Sequence, residues 1–221
     1  MDPLQIRADR TQPALAHGAA LPWVPSPEVG VERRMLERSG GEVAIATSIV
    51  RYAAGSRFRS HAHGLGEEFL VLEGTFSDQH GHYPAGTYVR NPPGSAHAPF
   101  SDPGCTIFVK LRQMADDEPE LLRVFPGQRV WEAMAAAGCA QAVLYENLRI
   151  RVTLLQMQPG AVLPPWRPRG GVEGLLVSGE IALGEGEALT AWDWWRQPAG
   201  MSAPILARSA ALLWLKQGHL P

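Results

Sequence analysis

The sequence predicts an all-β chain made of two tandem copies of one small domain. Three observations carry that prediction. Gly and Pro number 23 and 19 among 221 residues, a density that interrupts long helices and marks tight turns. Hydrophobic residues make up 45% and charged residues 19%, enough apolar material for a core and too little charge for a disordered chain. Four segments recur in the same order, offset by 105 or 106 residues, and a repeat of that length is one domain copied.

The four matches fix the register of the repeat. Ile49 to Gly55 aligns with Leu154 to Gly160, and Glu68 to Gly74 with Glu173 to Gly179, both offset by 105. Arg90 to Gly94 aligns with Arg196 to Gly200, and Ile107 to Lys110 with Leu213 to Lys216, both offset by 106. One residue is therefore inserted in a loop between the second and third matches.

Taken in order, residues 1–22 show no period and read as an N-terminal arm. Residues 23–114 form the first copy. Phe69 to Leu72 is a short apolar run between turn residues, the mark of a buried strand. Thr87 to Arg90 and Thr106 to Leu111 are β-branched or aromatic-rich, as strands are. Gly55, Gly74, Gly81, Gly86 and Gly94 punctuate them, which points to a sandwich or small barrel. Residues 115–121 are acidic and contain Pro119, and read as a linker. Residues 122–221 form the second copy, in which the Ala-rich stretch from Trp131 to Ala140 reads as a short helix.

Composition excludes several classes of function. A formal net charge of −2 and a pI near 6.4 argue against a nucleic-acid surface. No apolar run approaches the ~18 residues of a membrane span. The start, Met1 to Arg10, has no apolar stretch of the signal-peptide kind. Cys105 and Cys139 are the two cysteines; one disulfide could form, but not a disulfide scaffold. The expected compartment is the cytoplasm.

The chemistry lies in the histidines. His61 and His63 are spaced so that, on a strand, both rings point to one face. Glu67 follows across the turn Gly64-Leu65-Gly66. His97 comes just after the rigid turn Pro92-Pro93-Gly94. Imidazole nitrogen and carboxylate oxygen together suit a first-row divalent metal.

The spacing has a specific form. It runs Gly55-x5-His61-x-His63-x3-Glu67-x6-Gly74, then Gly86-x5-Pro92-x-Gly94-x2-His97. These resemble the two signature motifs of the cupin superfamily, with Ser101 standing near where the second motif usually closes on Asn. The fold so implied is two tandem cupin domains, each a double-stranded β-helix or jelly roll. The stretches Glu67 to Asp78 and Tyr83 to Pro99, Gly104-Cys105, and Trp214 to Leu220 are similar to the ChrR-like cupin family, and that likeness runs through nearly all of the chain after Trp23.

Carried over residue by residue, the resemblance implies metal ligands His61, His63, Glu67 and His97. It implies one divalent metal ion, with zinc expected first and iron, nickel or manganese as alternatives. In ChrR the cupin belongs to an anti-sigma factor responding to oxidative stress, and a separate N-terminal zinc domain binds the sigma factor. No counterpart of that domain precedes the cupin here, so sigma-factor binding is not expected. The expected function is that of a sensor or regulatory metal-binding bicupin. The alternative is a non-haem dioxygenase acting on a diketone or hydroxyacetophenone, because related cupins cleave carbon–carbon bonds in small ketones. The expected partner is a small molecule in the first barrel, with no nucleic acid or membrane, in a monomer or homodimer.

Four protein ligands in a closed tetrahedron would make a structural or sensing zinc. The same ligands with open positions would let a Lewis-acidic metal polarise a chelating substrate. Glu68, Cys105, Tyr52, Tyr88 and Phe100 are the candidate supporting or pocket residues. In the second copy Trp166, Pro168, Val172 and Ala203 replace the four ligands. Six of the seven tryptophans also fall there, and a barrel packed with apolar bulk is expected, an aromatic ligand site being the sharper alternative. His80 and His82 imitate the pair but sit at a hairpin tip. His17, His219, Cys139, Arg167 and Arg169 read as structural or solvated.

Overall fold

The computed structural model describes residues 4–41, 43–186, 188–201 and 203–221. It is almost entirely antiparallel β, and the described helical pieces are two single 3-10 turns, Gly18–Ala20 and Pro126–Gln128. Among the described residues no helix is long and apolar enough to cross a membrane. The chain divides into two compact units. One holds the residues up to Ala8 and Pro22–Gln128; the other holds Asp9–Leu21 and Arg129–Pro221.

In the first unit the main sheet runs Leu4–Ile6, Val31–Gly40, Ala44–Tyr52, Cys105–Leu111, Glu67–Asp78, Tyr88–Asn91, Leu122–Val124. Glu67–Asp78 is a single long strand that continues beyond this sheet to pair with Gly81–Pro84 and Phe100–Ser101. A separate ribbon pairs His61–Ala62 with Ala96–His97. The second unit repeats the plan. Its main sheet runs Glu132–Ala133, Cys139–Glu146, Arg151–Met157, Ala211–Gln217, Val172–Ser178, Trp194–Gln197, Ala14–Ala16. Glu67 and Val172 open equivalent strands 105 residues apart, and Cys105–Leu111 maps onto Ala211–Gln217 with the offset of 106. The fold is two tandem cupin jelly rolls.

Three segments differ from the sequence reading. The expected arm is two short sheet strands, because an extended segment can satisfy the open backbone groups of a sheet edge. Leu4–Ile6 pairs with Val31–Gly40 and Ala14–Ala16 with Trp194–Gln197; residues 1–3 lie outside the described residues. Leu122–Val124, placed at the head of the second copy, pairs with Tyr88–Asn91 of the first unit. The Ala-rich stretch is not helical. It holds the strand Glu132–Ala133, a turn through Gly138 at φ 74° and the start of Cys139–Glu146, which pairs with Arg151–Met157. A ladder of non-local partners there outweighs alanine's local preference for helix.

Each interior is filled by the inward half of the alternating residues. Val50, Phe69, Val71, Phe76, Ile107 and Val109 belong to the first core, and Leu155, Leu176, Trp195, Leu213 and Leu215 to the second. The strand corners demand glycine. Gly74 has φ 69°, and a Cβ there would lie 2.1 Å from the Gly104 carbonyl oxygen; at Gly179 the corresponding distance to the Ala210 oxygen is 2.3 Å.

The outward face of Glu67–Asp78 carries buried charge. Glu68 accepts hydrogen bonds from Tyr88 Oη at 2.7 Å and from Arg90 at 3.1 Å, and Arg90 also donates to Glu118 at 2.5 Å. Glu118 lies in the expected linker and is 2% exposed, so that segment is anchored to the first unit. A buried guanidinium losing a carboxylate partner is costly. Glu118→Ala is expected to lower the unfolding free energy by about 3 kcal/mol in urea denaturation. A change smaller than the ~0.5 kcal/mol of an ordinary surface substitution would show that the pair contributes little.

Candidate metal centre

The ribbon that links the two motifs sets His61 opposite His97 across an antiparallel pair. The turn after Asn91 fastens His63 beside them: the Gly94 N–H donates to the His63 carbonyl and the His63 N–H to the Ser95 carbonyl, both at 2.8 Å. The three rings stand edge to face, with centroids 5.1, 5.1 and 4.7 Å apart. One ring nitrogen from each lies within 4.8 Å of the others. Three histidines thus form a candidate metal site.

Glu67 opens the long strand and turns inward toward the same point. Its Oε2 is 3.5 Å from His63 Nε2 and 3.6 Å from His97 Nε2, too far for good hydrogen bonds. Both Nε2 atoms are buried and have no hydrogen-bond partner among the described residues. Orphaned buried nitrogens are rare. Two of them aimed at one carboxylate oxygen form the donor set of a divalent cation, so the residues fit the metal that the ligand spacing implies.

The surrounding hydrogen bonds set the orientation. His97 Nδ1 meets Asp78 Oδ2 at 3.2 Å, and Tyr83 Oη donates to the other Asp78 oxygen at 2.9 Å. The carboxylate fixes His97 with its Nε2 turned to the site, the arrangement metal-binding histidines favour. Asn91 Nδ2 donates to Glu67 Oε2 at 2.8 Å, and Arg123 donates to Asn91 Oδ1 at 2.8 Å. Sequence reasoning missed Asp78, Tyr83, Asn91 and Arg123. Asn91 sits opposite Glu67 in the ladder; Arg123 has no such local signal, because its strand reads in sequence as the head of the second copy and pairs with Tyr88–Asn91 only in the fold.

Electrostatics agree. Burial lowers the His63 pKa, and His97 and His61 lower it further, against the opposing pull of Glu67. His63 is therefore neutral at pH 7, the form that ligates. Burial alone would raise the Asp78 carboxyl, but hydrogen bonds from His97, the His80 N–H and Tyr83 hold it below the usual range. It is ionised and can orient His97.

The supporting candidates separate. Tyr52 lines a pocket of about 560 Å³ together with His61, His63, Glu67, Arg33 and Arg59. Burial, with the charges of Glu67 and Cys105, raises its phenol well above the ordinary value, so it stays protonated. Cys105 is buried in the core beside this pocket. Burial pushes its thiol up to about 11, with a Ser101 hydrogen bond pulling the other way. Glu68 and Tyr88 do not support the site. Successive side chains on a strand point to opposite faces, so Glu68 leaves the barrel where Glu67 enters it, and Tyr88 follows it. Phe100 is absent from the pocket lining; its ring meets His82 at 5.9 Å and the Arg57 guanidinium at 4.8 Å.

The other histidines have structural contacts. His82 Nδ1 bonds Ser77 Oγ at 2.9 Å, His17 Nδ1 meets Asp193 at 3.2 Å, and His219 Nε2 meets Glu173 at 2.8 Å. His80 Nε2 meets Gln79 at 2.9 Å. In the second unit Trp166 takes the place of His61, and its indole N–H donates to Gln217 at 3.2 Å.

Comparison with known proteins decides the family. The ChrR Cupin-like domain model matches residues 11–115. Residues 11–115 belong to the ChrR-like cupin family. No curated protein matches the sequence. Among solved structures, a provisionally assigned dioxygenase from Nostoc punctiforme PCC 73102 has a TM-score of 0.75 at 14% identity, covering 95% of this chain and 84% of that one. The nickel(II) complex of the bacterial pirin YhhW from Escherichia coli has 0.68 at 15%, covering 95% and 100%. The formate complex of Lactobacillus farciminis oxalate decarboxylase has 0.67 at 10%, covering 94% and 86%. Identities this low carry the fold alone.

Two expectations follow. Asp78→Asn should weaken metal binding by about 10–100-fold, read by competition with a chromogenic chelator, while His97→Ala should lose stoichiometric metal; unchanged affinity in both would refute the assignment. Cys105 and Cys139 are buried and free. At pH 8 roughly a thousandth of a thiol titrating near 11 is thiolate, so Ellman's reagent should reach neither cysteine until denaturant is added. Rapid labelling of the native protein would place a thiol in the open.

Proposed function

We propose that the first barrel is a metal-dependent active site of dioxygenase type, acting on a small carbonyl compound that chelates through oxygen. One observation carries the reading. The His61, His63 and Glu67 side chains line an open pocket of about 560 Å³, whereas a structural zinc is closed by its protein ligands.

In this reading His61, His63, His97 and Glu67 would hold the ion, which when bound supplies Lewis acidity and, if iron, a site for dioxygen. Arg33 and Arg59 in the lining would attract an enolate or other oxyanion toward the ligand cluster. The Tyr52 phenol, kept protonated by its surroundings, is the hydrogen-bond donor available to a substrate oxygen. Phe58, which stacks edge to face with Tyr52 at 5.2 Å, supplies an apolar wall. The two free cysteines agree with a cytoplasmic setting.

A second reading, a sensor or regulatory bicupin holding zinc, is supported by the match to the ChrR Cupin-like domain. Elemental analysis of protein purified without chelators separates the two. Iron is the expected metal, with oxygen uptake by iron-loaded protein against a panel of β-diketones and hydroxyacetophenones. Uptake should fall at least tenfold in Tyr52→Phe if the phenol assists turnover. Stoichiometric zinc with no uptake for any compound would overturn the enzyme reading in favour of the sensor.

A further inference from the structure

The second barrel has lost its ligands but not its pocket. A cavity of about 380 Å³ opens among Leu155, Leu163, Trp166, Leu215, Gln141 and Thr153. The size lies at the lower end of small-molecule sites. Part of its lining repeats that of the metal pocket. Leu163, Pro164, Pro165 and Trp166 stand where Phe58, Arg59, Ser60 and His61 stand, offset by 105. Leu155 stands for Val50 at the same offset, and Leu215 and Gln217 for Val109 and Leu111 at 106. The interior beside it is packed with apolar side chains, Trp195 among them, and the cavity opens next to that core. Trp166 is held at the cavity wall by the hydrogen bond from its indole N–H to Gln217.

We propose that this pocket is a second, metal-independent binding site for a small uncharged aromatic molecule carrying one hydrogen-bond acceptor. The lining chemistry defines the class. Leucines, prolines and an indole face supply the apolar wall, which suits a flat ring. Gln141, Thr153 and Gln217 supply the few polar groups that orient a ligand. Arg151 is the single charged residue among the lining residues, and it is paired with Glu146 at 3.0 Å. The first pocket, by contrast, carries Glu67, Arg33 and Arg59. An anion would therefore suit the first barrel, and a neutral ring the second.

The sheet explains why the polar groups converge. Gln141 lies opposite Leu155, Leu215 opposite Thr153, and Gln217 opposite Arg151 in the antiparallel ladders. Residues 151, 153 and 155 of one strand share a face, so a row of polar side chains runs along one wall above leucine. Arg151 and Thr153 stand at positions whose first-barrel equivalents, Ala46 and Ser48, do not line the metal pocket, so this polar row belongs to the second barrel.

The test uses the full chain and benzamide as the neutral probe, with benzoate as its charged isostere. Titration calorimetry and ligand-observed NMR follow binding to wild type and to His97→Ala. Both proteins should bind one benzamide with equal affinity, and benzoate at least tenfold more weakly. Gln141→Trp should fill the cavity and lose at least tenfold in affinity. Should that variant fail to fold, Trp166→Leu serves instead, since it removes the indole face from a half-buried position and should weaken binding several-fold. Absence of saturable benzamide binding up to its solubility limit would overturn the proposal. So would loss of binding in His97→Ala, which would place the probe in the metal barrel, or undiminished affinity in the pocket variants.

Discussion

Side chains on an extended strand change sides at every residue, and that alternation governs the first unit. Glu67 and Glu68 are neighbours in the chain, yet one carboxylate enters the barrel and the other leaves it. The inward one meets His63 and His97 at 3.5 and 3.6 Å. The outward one is held by Tyr88 and Arg90. Sliding this strand by one residue would turn Glu67 out of the barrel and Glu68 into it. The long ladder with Cys105–Leu111 prevents such a slip by setting Glu67 opposite Leu111 and Phe69 opposite Val109. The metal centre therefore depends on sheet register more than on any one loop.

Burying charge is the second constraint. A carboxylate removed from water must find donors or cations. Glu67 has Asn91, and Asn91 in turn has Arg123; Asp78 has Tyr83, His97 and the His80 amide. These residues come from several strands besides the long central one, so organising the site requires the unit to be folded. The same logic ties Glu118, in a stretch that looks like a solvated linker, to buried Arg90. An acidic run does not reveal in sequence which of its carboxylates faces inward.

Much of the fold was legible because turn chemistry and repetition are local signals. The glycines at 74 and 179 mark strand corners where no Cβ fits, and their common offset gave the two barrels directly. The three histidines were legible through spacing. What escaped were pairings made at a distance. Nothing local says that Leu4–Ile6 and Ala14–Ala16 complete different sheets, or that Leu122–Val124 returns to Tyr88–Asn91. Glu68, Tyr88 and Phe100 were drawn to the site by proximity in sequence, and the facing of their strands sends them elsewhere. The Ala-rich stretch misled because helix propensity is a weak preference that sheet partners override.

The two barrels show which features a cupin frame requires. Backbone geometry is shared: both have the glycine corner, the same strand order through the middle of the main sheet, and a mouth in the same place. Side-chain chemistry at that mouth is free to vary, because the ladder hydrogen bonds come from the backbone and do not consult it. Replacing His61 by Trp166 and Arg59 by Pro164 exchanges cation-binding and anion-attracting groups for apolar surface; the short strand His61–Ala62 has no counterpart at Trp166, while the main-sheet ladders persist. A cavity persists because Trp166 is fastened to the wall by Gln217 and not folded into the centre. Loss of the metal ligands therefore altered what the second mouth can hold and left the mouth open.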